Sequence, residues 1–160
     1  MALASLAAAL CAATLLAGPC GAADSASARA QGAARTATHA AEGRVAVVYH
    51  LSEGIDQAAR ALGNIRNHLA ADPTVHIVVV GLGGGIDFML SGAHDAHGNP
   101  FDVTIEDLAR QGVEFRACNN TLHARGIDPA RLVPEAQVVP AGVAEIARLQ
   151  AREGFAYIRP

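Results

Sequence analysis

Cys118 follows the strand-forming run Val113 to Ala117, in which Glu114 and Arg116 alternate with apolar residues, and lies just before the helix-forming segment Asn120 to Arg125. A thiol at a strand-to-helix junction lies near free backbone N–H groups and the positive end of a helix dipole. Both lower its pKa and enlarge the share of thiolate, the nucleophilic form. Asn119 and Asn120 are placed to cap that helix and bind charge at the sulfur, and Arg125 follows one or two turns on. His50 ends another apolar run, on a strand that could lie nearby, so Arg125 and His50 would both add positive charge. His123, about one turn beyond the thiol, either orients the site or faces solvent. The chemistry this grouping supports is nucleophilic attack by sulfur at an exposed position at the mouth of a sheet. The same thiol wrapped in apolar groups would be inert, a common state for free cysteine.

Two other groupings have weaker chemistry. Gly81-Leu82-Gly83-Gly84-Gly85 follows a strand and precedes a helix, so the amides of Gly83, Gly84 and Gly85 could cradle an anion. The run matches neither the dinucleotide fingerprint nor a P-loop, and the chain has no Lys to complete the latter. Close backbone packing in a tight turn is the plainer reading. His94 and His97 flank Asp95 at a spacing that binds zinc or copper on a helix, but they fall in a Gly- and Asn-rich loop, where a solvated loop over the cysteine is the plainer reading. The nucleophilic reading requires no metal and no organic cofactor. His68 and His76 flank the helix stop Asp72-Pro73 and read as exposed edge residues, while Glu53, Asp56 and Asp87 read as helix-start caps.

The elements that would position these groups alternate. Arg44 to His50, Val75 to Val80, Val113 to Ala117, Gln137 to Val139 and Phe155 to Ile158 read as strands. Between them lie a helix from Ser52 to Leu69 with Ile55, Ala58, Ala59, Leu62, Ile65 and Leu69 on one face, and a short helix from Ile86 to Ser91. A helix from Ile105 to Gln111 capped by Thr104, the segment Asn120 to Arg125 and a helix from Val143 to Arg152 follow. Near-continuous apolar strands alternating with amphipathic helices predict an α/β fold, a three-layer α/β/α sandwich with a mainly parallel five-stranded sheet. Ligands in such folds gather outside the carboxyl ends of the strands, here the loops beginning at His50, Gly81, Cys118 and Pro140.

The 160 residues carry 12 basic side chains, all Arg, against 15 acidic ones, for a net charge of -3. The arginines are scattered singly, which argues against nucleic acid or an anionic membrane as the main partner. Residues 1–23 read as an export signal: the apolar run Ala2 to Ala17 is followed by Gly18-Pro19-Cys20-Gly21-Ala22-Ala23, with a small-x-small cleavage site after Ala23. The run is shorter than a membrane span of about 20 residues, and Pro19 before Cys20 does not fit lipid attachment. Residues 24–42, poor in large apolar side chains, read as a flexible tether to a folded domain at 43–160. Removal of the signal with Cys11 and Cys20 would leave Cys118 as the one thiol of a periplasmic or secreted chain, with no membrane association.

The segment Phe115-Arg116-Ala117-Cys118-Asn119-Asn120-Thr121-Leu122-His123-Ala124-Arg125-Gly126-Ile127 resembles that of the DsrE/DsrF-like sulfur-relay family, in which a strand delivers a cysteine to a short helix ending in Arg-Gly and an aliphatic residue. Val47-Val48-Tyr49-His50, the Gly-rich turn and the closing helix and strand fall in the family's order. The resemblance implies that Cys118 accepts sulfane sulfur as a persulfide, as a sulfurtransferase or sulfur carrier, exchanging it with donor and acceptor proteins. It also implies assembly into homo-oligomers, trimers or hexamers. A different reading remains open, a non-catalytic oligomeric module holding a small anion or metal through the Gly-rich turn and the His94/His97 loop. A third, purely structural reading leaves the thiol unreactive.

Overall fold

The computed structural model of the protein describes residues 43–160. The expected export signal at 1–23, the tether at 24–42, and Cys11 and Cys20 lie outside the described residues. In chain order the elements are β1 (Ala46–Leu51), α1 (Ile55–Ala71), β2 (His76–Gly81), a 3-10 helix (Gly83–Met89), α2 (Phe101–Arg110), β3 (Glu114–Cys118) and α3 (Asn119–Ala124). A 3-10 turn (Pro129–Arg131), β4 (Ala136–Val139), α4 (Gly142–Glu153) and β5 (Ala156–Ile158) complete the fold. The five strands form one sheet in the order β4-β3-β2-β1-β5, and every neighbouring pair is parallel. The α/β sandwich expected from the strand–helix alternation is therefore present.

Side chains alternate across the strands, so each face has its own core. Val47, Tyr49 and Leu51 of β1, Ile77 and Val79 of β2 and Phe115 and Ala117 of β3 pack with Ala58, Leu62 and Ile65 of α1 and with Phe88, Phe101, Ile105 and Leu108. Phe88 lies edge-on to both Phe101 and Phe115, with ring centroids 5.9 and 6.2 Å apart, a preferred aromatic geometry. The opposite face is thinner: Val48, Val78 and Val80 pack under Ile146 and Leu149 of α4 and under Phe155. His76, Glu114 and Arg116, on the same face, are polar and half-buried.

Some boundaries depart from the expected ones for physical reasons. Helix α2 begins at Phe101, four residues before Ile105, and Thr104 does not cap it. Pro100, which reads as a breaker, is its N-cap, and the buried Phe101 continues the stripe of Ile105 and Leu108. The Gly-rich stretch is itself 3-10 helical from Gly83, ahead of the expected start at Ile86. No carboxylate caps α1; the buried Gln57 bends back instead, its Oε1 accepting from the amides of Ser52 and Glu53 at 2.8 and 2.9 Å. Glu53 pairs with Arg159 at 2.7 Å and Asp87 with Arg125 at 2.7 Å, so neither acts as a cap. His68 and His76 are not free edges: His68 Nδ1 meets the Tyr49 hydroxyl at 3.1 Å, and His76 Nε2 meets Glu114 at 2.8 Å.

The glycines at the end of β2 owe their identity to close backbone approach. A Cβ on Gly85 would lie 2.1 Å from the carbonyl oxygen of Leu51, and one on Gly81 would lie 2.5 Å from that of Gly85. Gly63, inside α1, would meet nothing within 4 Å. Gly85→Ala is therefore expected to destabilise the protein by about 3 kcal/mol or more, at the top of the overpacking range. Gly63→Ala is expected to stabilise it by about 0.5–1 kcal/mol through helix propensity. Chemical denaturation of both variants checks the opposite signs.

Candidate functional site

Cys118 is both the last residue of β3 and the N-cap of α3, with extended dihedrals of φ -72° and ψ 115°. An N-cap side chain faces the amides two and three residues on, here those of Asn120 and Thr121. The second contribution comes from α4. Register places Cys118 opposite Val139 at the end of β4, and the chain then turns through Pro140 and Ala141 into α4, whose first residue is Gly142. A Cβ on Gly142 would sit 3.1 Å from Cys118 Cβ and 3.0 Å from Leu82 Cδ2. Glycine at this position lets the α4 terminus come down on the cysteine.

Cys118 is only 5% exposed, so the sulfur is less open than the sequence reading has it. Burial pushes the thiol pKa up, but the Gly142 amide, the Thr121 hydroxyl and the amides of Thr121 and Asn120 pull it down, and the net shift is downward. The N-cap makes no side-chain hydrogen bond of full geometry. This suits a neutral thiol, a weak acceptor whose interactions with these donors strengthen when it ionises.

Thr121 connects the cysteine to the Gly-rich turn. Its Oγ1 accepts the Gly83 N–H at 3.0 Å, which leaves the hydroxyl proton free to point at the sulfur. Arg125, at the end of α3, donates to the Gly83 carbonyl at 3.1 Å and to Asp87 Oδ1 at 2.7 Å. Gly83 is thus held at its N–H by one residue of the Cys118 helix and at its carbonyl by another. Arg125 reaches the site through this strap, whereas the sequence places its charge at the sulfur. Gly84 N–H donates to Ser52 O at 3.1 Å and Gly85 N–H to Leu82 O at 2.9 Å. All three amides are occupied within the chain, and the glycines serve close packing instead of an anion cradle.

The other expected site residues are placed elsewhere. His50 pairs in register with Val80, and Val80 with Arg116, so β2 separates it from the cysteine's strand. Its Nδ1 bonds the Tyr157 hydroxyl at 2.7 Å. Burial, and then the nearby Arg159 charge, hold its pKa below the ordinary histidine value. It is therefore neutral at pH 7 and supplies no positive charge to the thiol. His123, Asn119 and Asn120 have exposed side chains, and Asn120 acts through its amide while Cys118, not an asparagine, occupies the cap. In the loop after the 3-10 helix, Asp95 Oδ1 accepts the amides of His97 and Asn99, each at 2.8 Å, and His94 and His97 are exposed. Among the described residues no three His, Cys, Asp or Glu side chains converge as a metal ligand set.

Gly142 and Thr121 are the site residues that the sequence reading misses. The Pro140-Ala141-Gly142 break before an apolar stripe is a signal for the first; nothing in the spacing signals the second.

The model of a family described as the DsrE/DsrF-like family matches residues 21–160. A solved structure from Methanobacterium thermoautotrophicum, described as a protein of unknown function, MTH1491, is 34% identical and superposes with a TM-score of 0.63 over 72% of this chain and 99% of that one. The YchN protein from E. coli is 14% identical, with a TM-score of 0.59 over 73% of this chain and 98% of that one, a likeness of fold. No functionally curated protein matches the chain.

A hydrogen bond to a charged group contributes about 1.5–3 kcal/mol, and one pKa unit corresponds to about 1.4 kcal/mol. Thr121→Val is therefore expected to lower the thiolate fraction at pH 7 about tenfold, read as a matching fall in the rate of iodoacetamide alkylation at Cys118. An unchanged rate would show that the hydroxyl does not act on the sulfur.

Proposed function

Because the chain belongs to the DsrE/DsrF-like family, we propose that it carries sulfane sulfur as a persulfide on Cys118 and passes it to a second thiol. The observation that supports this most directly is that Cys118 is the N-cap of α3 and that Gly142, the first residue of α4, packs against it, an arrangement that lowers the thiol pKa. A persulfide needs a thiolate to form, and the terminal sulfur it gains is anionic at neutral pH. The same donors serve both states without a cofactor.

The transfer balances without an external oxidant. With thiosulfate, the Cys118 thiolate attacks the sulfane sulfur, a new S–S bond forms at Cys118, the S–S bond of thiosulfate breaks, and sulfite leaves with its electron pair. With polysulfide, the leaving group is the polysulfide shortened by one sulfur. Onward transfer repeats the displacement: an acceptor thiolate attacks the outer sulfur and Cys118 leaves as thiolate. With Cys118 only 5% exposed, small donors suit the first step. The residues of the donor network orient and charge the sulfur, Arg125 through Gly83 and Thr121, with Cys118 as the group that reacts. The proposal extends to a periplasmic or secreted setting, following the export signal read at 1–23, and to a homo-oligomeric state, following the family.

Incubation of the protein with polysulfide or thiosulfate is expected to add mass in steps of about 32 Da, one sulfur atom each. Peptide mapping should place the addition on Cys118, reversibly on treatment with dithiothreitol, and the corresponding peptide of Cys118→Ser should gain none. Wild-type protein that stays at its original mass while its thiol remains open to iodoacetamide would contradict the carrier reading.

A further inference from the structure

The thin face of the sheet carries a chain of charges. His76 meets Glu114 at 2.8 Å, Glu114 meets Arg116 at 2.6 Å, Arg116 pairs with Glu145, and Glu145 is held in turn by Arg148 at 2.9 Å. The central pair is the most enclosed, with the Arg116 and Glu145 side chains 14% and 12% exposed. Arg116 lies two residues before Cys118 on the same face of β3, and Glu145 lies three residues after Gly142 in the first turn of α4. The pair therefore ties the amino-terminal turn of α4 to the strand that carries the thiol.

From this placement we infer that Arg116 and Glu145 are positioning residues, which set the reactivity of Cys118 by holding the Gly142 amide against its sulfur. Their relevance to sulfur transfer rests on the carrier reading above; their effect on the thiol does not. The fit at Gly142 shows why a tie is needed. The α4 terminus approaches so closely that a single added methyl would press on both Leu82 and Cys118, at 3.0 and 3.1 Å. The apolar contacts of Ile146 and Leu149 lie one turn and more further along the helix. Ala141 makes no side-chain cap bond to fix the terminus.

Charge alone does not account for the arrangement. On the elements that meet at the cysteine, Arg116 on β3 pairs with Glu145 on α4, and Arg125 on α3 pairs with Asp87 on the 3-10 helix. β4 contributes no charged side chain. The groups that shift the thiol are burial, amides and one hydroxyl. Hydrogen bonds from Arg148 and Arg116 hold the Glu145 carboxyl below the usual carboxylate range, so the tie is in place throughout the pH range in which the thiol titrates.

The two origins predict opposite signs. Glu145→Gln removes a negative charge and leaves Arg116 less balanced, which by charge alone would favour the thiolate. Loss of the tie frees the α4 terminus and disfavours it. The experiment is the pH profile of Cys118 alkylation in Glu145→Gln, Glu145→Asp and Arg148→Gln. Glu145→Gln is expected to raise the thiol pKa and slow alkylation at pH 7 at least about threefold, with the plateau rate at high pH unchanged. Glu145→Asp keeps the charge but withdraws it by one methylene, and should shift the profile the same way. Arg148→Gln leaves the Arg116 tie intact and should not shift it. A lower or unchanged pKa in Glu145→Gln overturns the inference, as does an equal shift in Arg148→Gln, which would mark a general loss of stability. If Glu145→Gln fails to give a native circular dichroism spectrum, Glu145→Asp alone decides. Profiles that shift as stated in a protein that never gains sulfur would leave the positioning role standing and remove the carrier reading.

Discussion

A thiolate cannot be placed where water is mostly excluded unless the protein supplies donors in its stead. The cost of burying an uncompensated ion is several kcal/mol even after relaxation, and Cys118 retains 5% of its exposure. Charge-assisted hydrogen bonds contribute about 1.5–3 kcal/mol each, so two or three of them outweigh that burial. The architecture at the carboxyl end of the sheet serves this requirement. β3 ends at the sulfur, α3 starts from it, and α4 arrives from the neighbouring strand with its first amide pointing at it. None of these donors is a charged side chain, so the stabilisation does not depend on a mobile cation and is screened little by salt.

The supports extend away from the sulfur. Thr121 Oγ1 accepts from Gly83 and keeps its hydroxyl proton available to the thiol, and Gly83 is held in turn by Arg125. The turn itself is set by backbone packed on backbone, with Gly85 against Leu51 and Gly84 against Glu53 and Gly54. Gln57 fastens that loop from below and donates through Nε2 to the carbonyl of Pro160 at 3.1 Å, which closes the chain's end onto the same region. On the other face the tie between Arg116 and Glu145 does for α4 what Arg125 does for α3. Each helix that contributes an amide is thus anchored by an arginine, one through Gly83 and one through a carboxylate.

Much of this is written in local pattern and some is not. The runs VAVVYH and VHIVVV announce buried parallel strands because both their faces are covered, VEFRA shows the alternation of a strand with one polar face, and the α1 stripe from Ala58 to Leu69 is visible at helical spacing. Cys118 stands out for its place between strand and helix. The start of α2 is hidden because Pro100, a breaker when read alone, is also a good residue just ahead of a helix, and because the burial of Phe101 is decided by Phe88, distant in sequence. His50 reads as a cation near the thiol, yet its partner Tyr157 lies 107 positions away and its burial beside Arg159 keeps it neutral. The Arg116–Glu145 tie joins residues 29 apart across a crossover, and no window of sequence contains it. Gly142 was legible in principle, as a glycine closing a Pro-Ala-Gly break, but its reason is a contact with the cysteine of another strand.

The account depends on the ionisation of one group, and a direct measurement is the titration of the wild-type protein labelled with 13C at Cys Cβ, followed by NMR from pH 4 to 11. The Cβ resonance of Cys118 is expected to move with a midpoint below the ordinary thiol value of about 8.5. Because the folded pKa is then lower than the unfolded one, the thiolate's contribution to stability is complete above about pH 8.5 and is lost as pH falls through the folded midpoint. A Cβ resonance that titrates at or above about 8.5, or that does not titrate before the protein unfolds, would show a thiol governed by burial and would contradict the account.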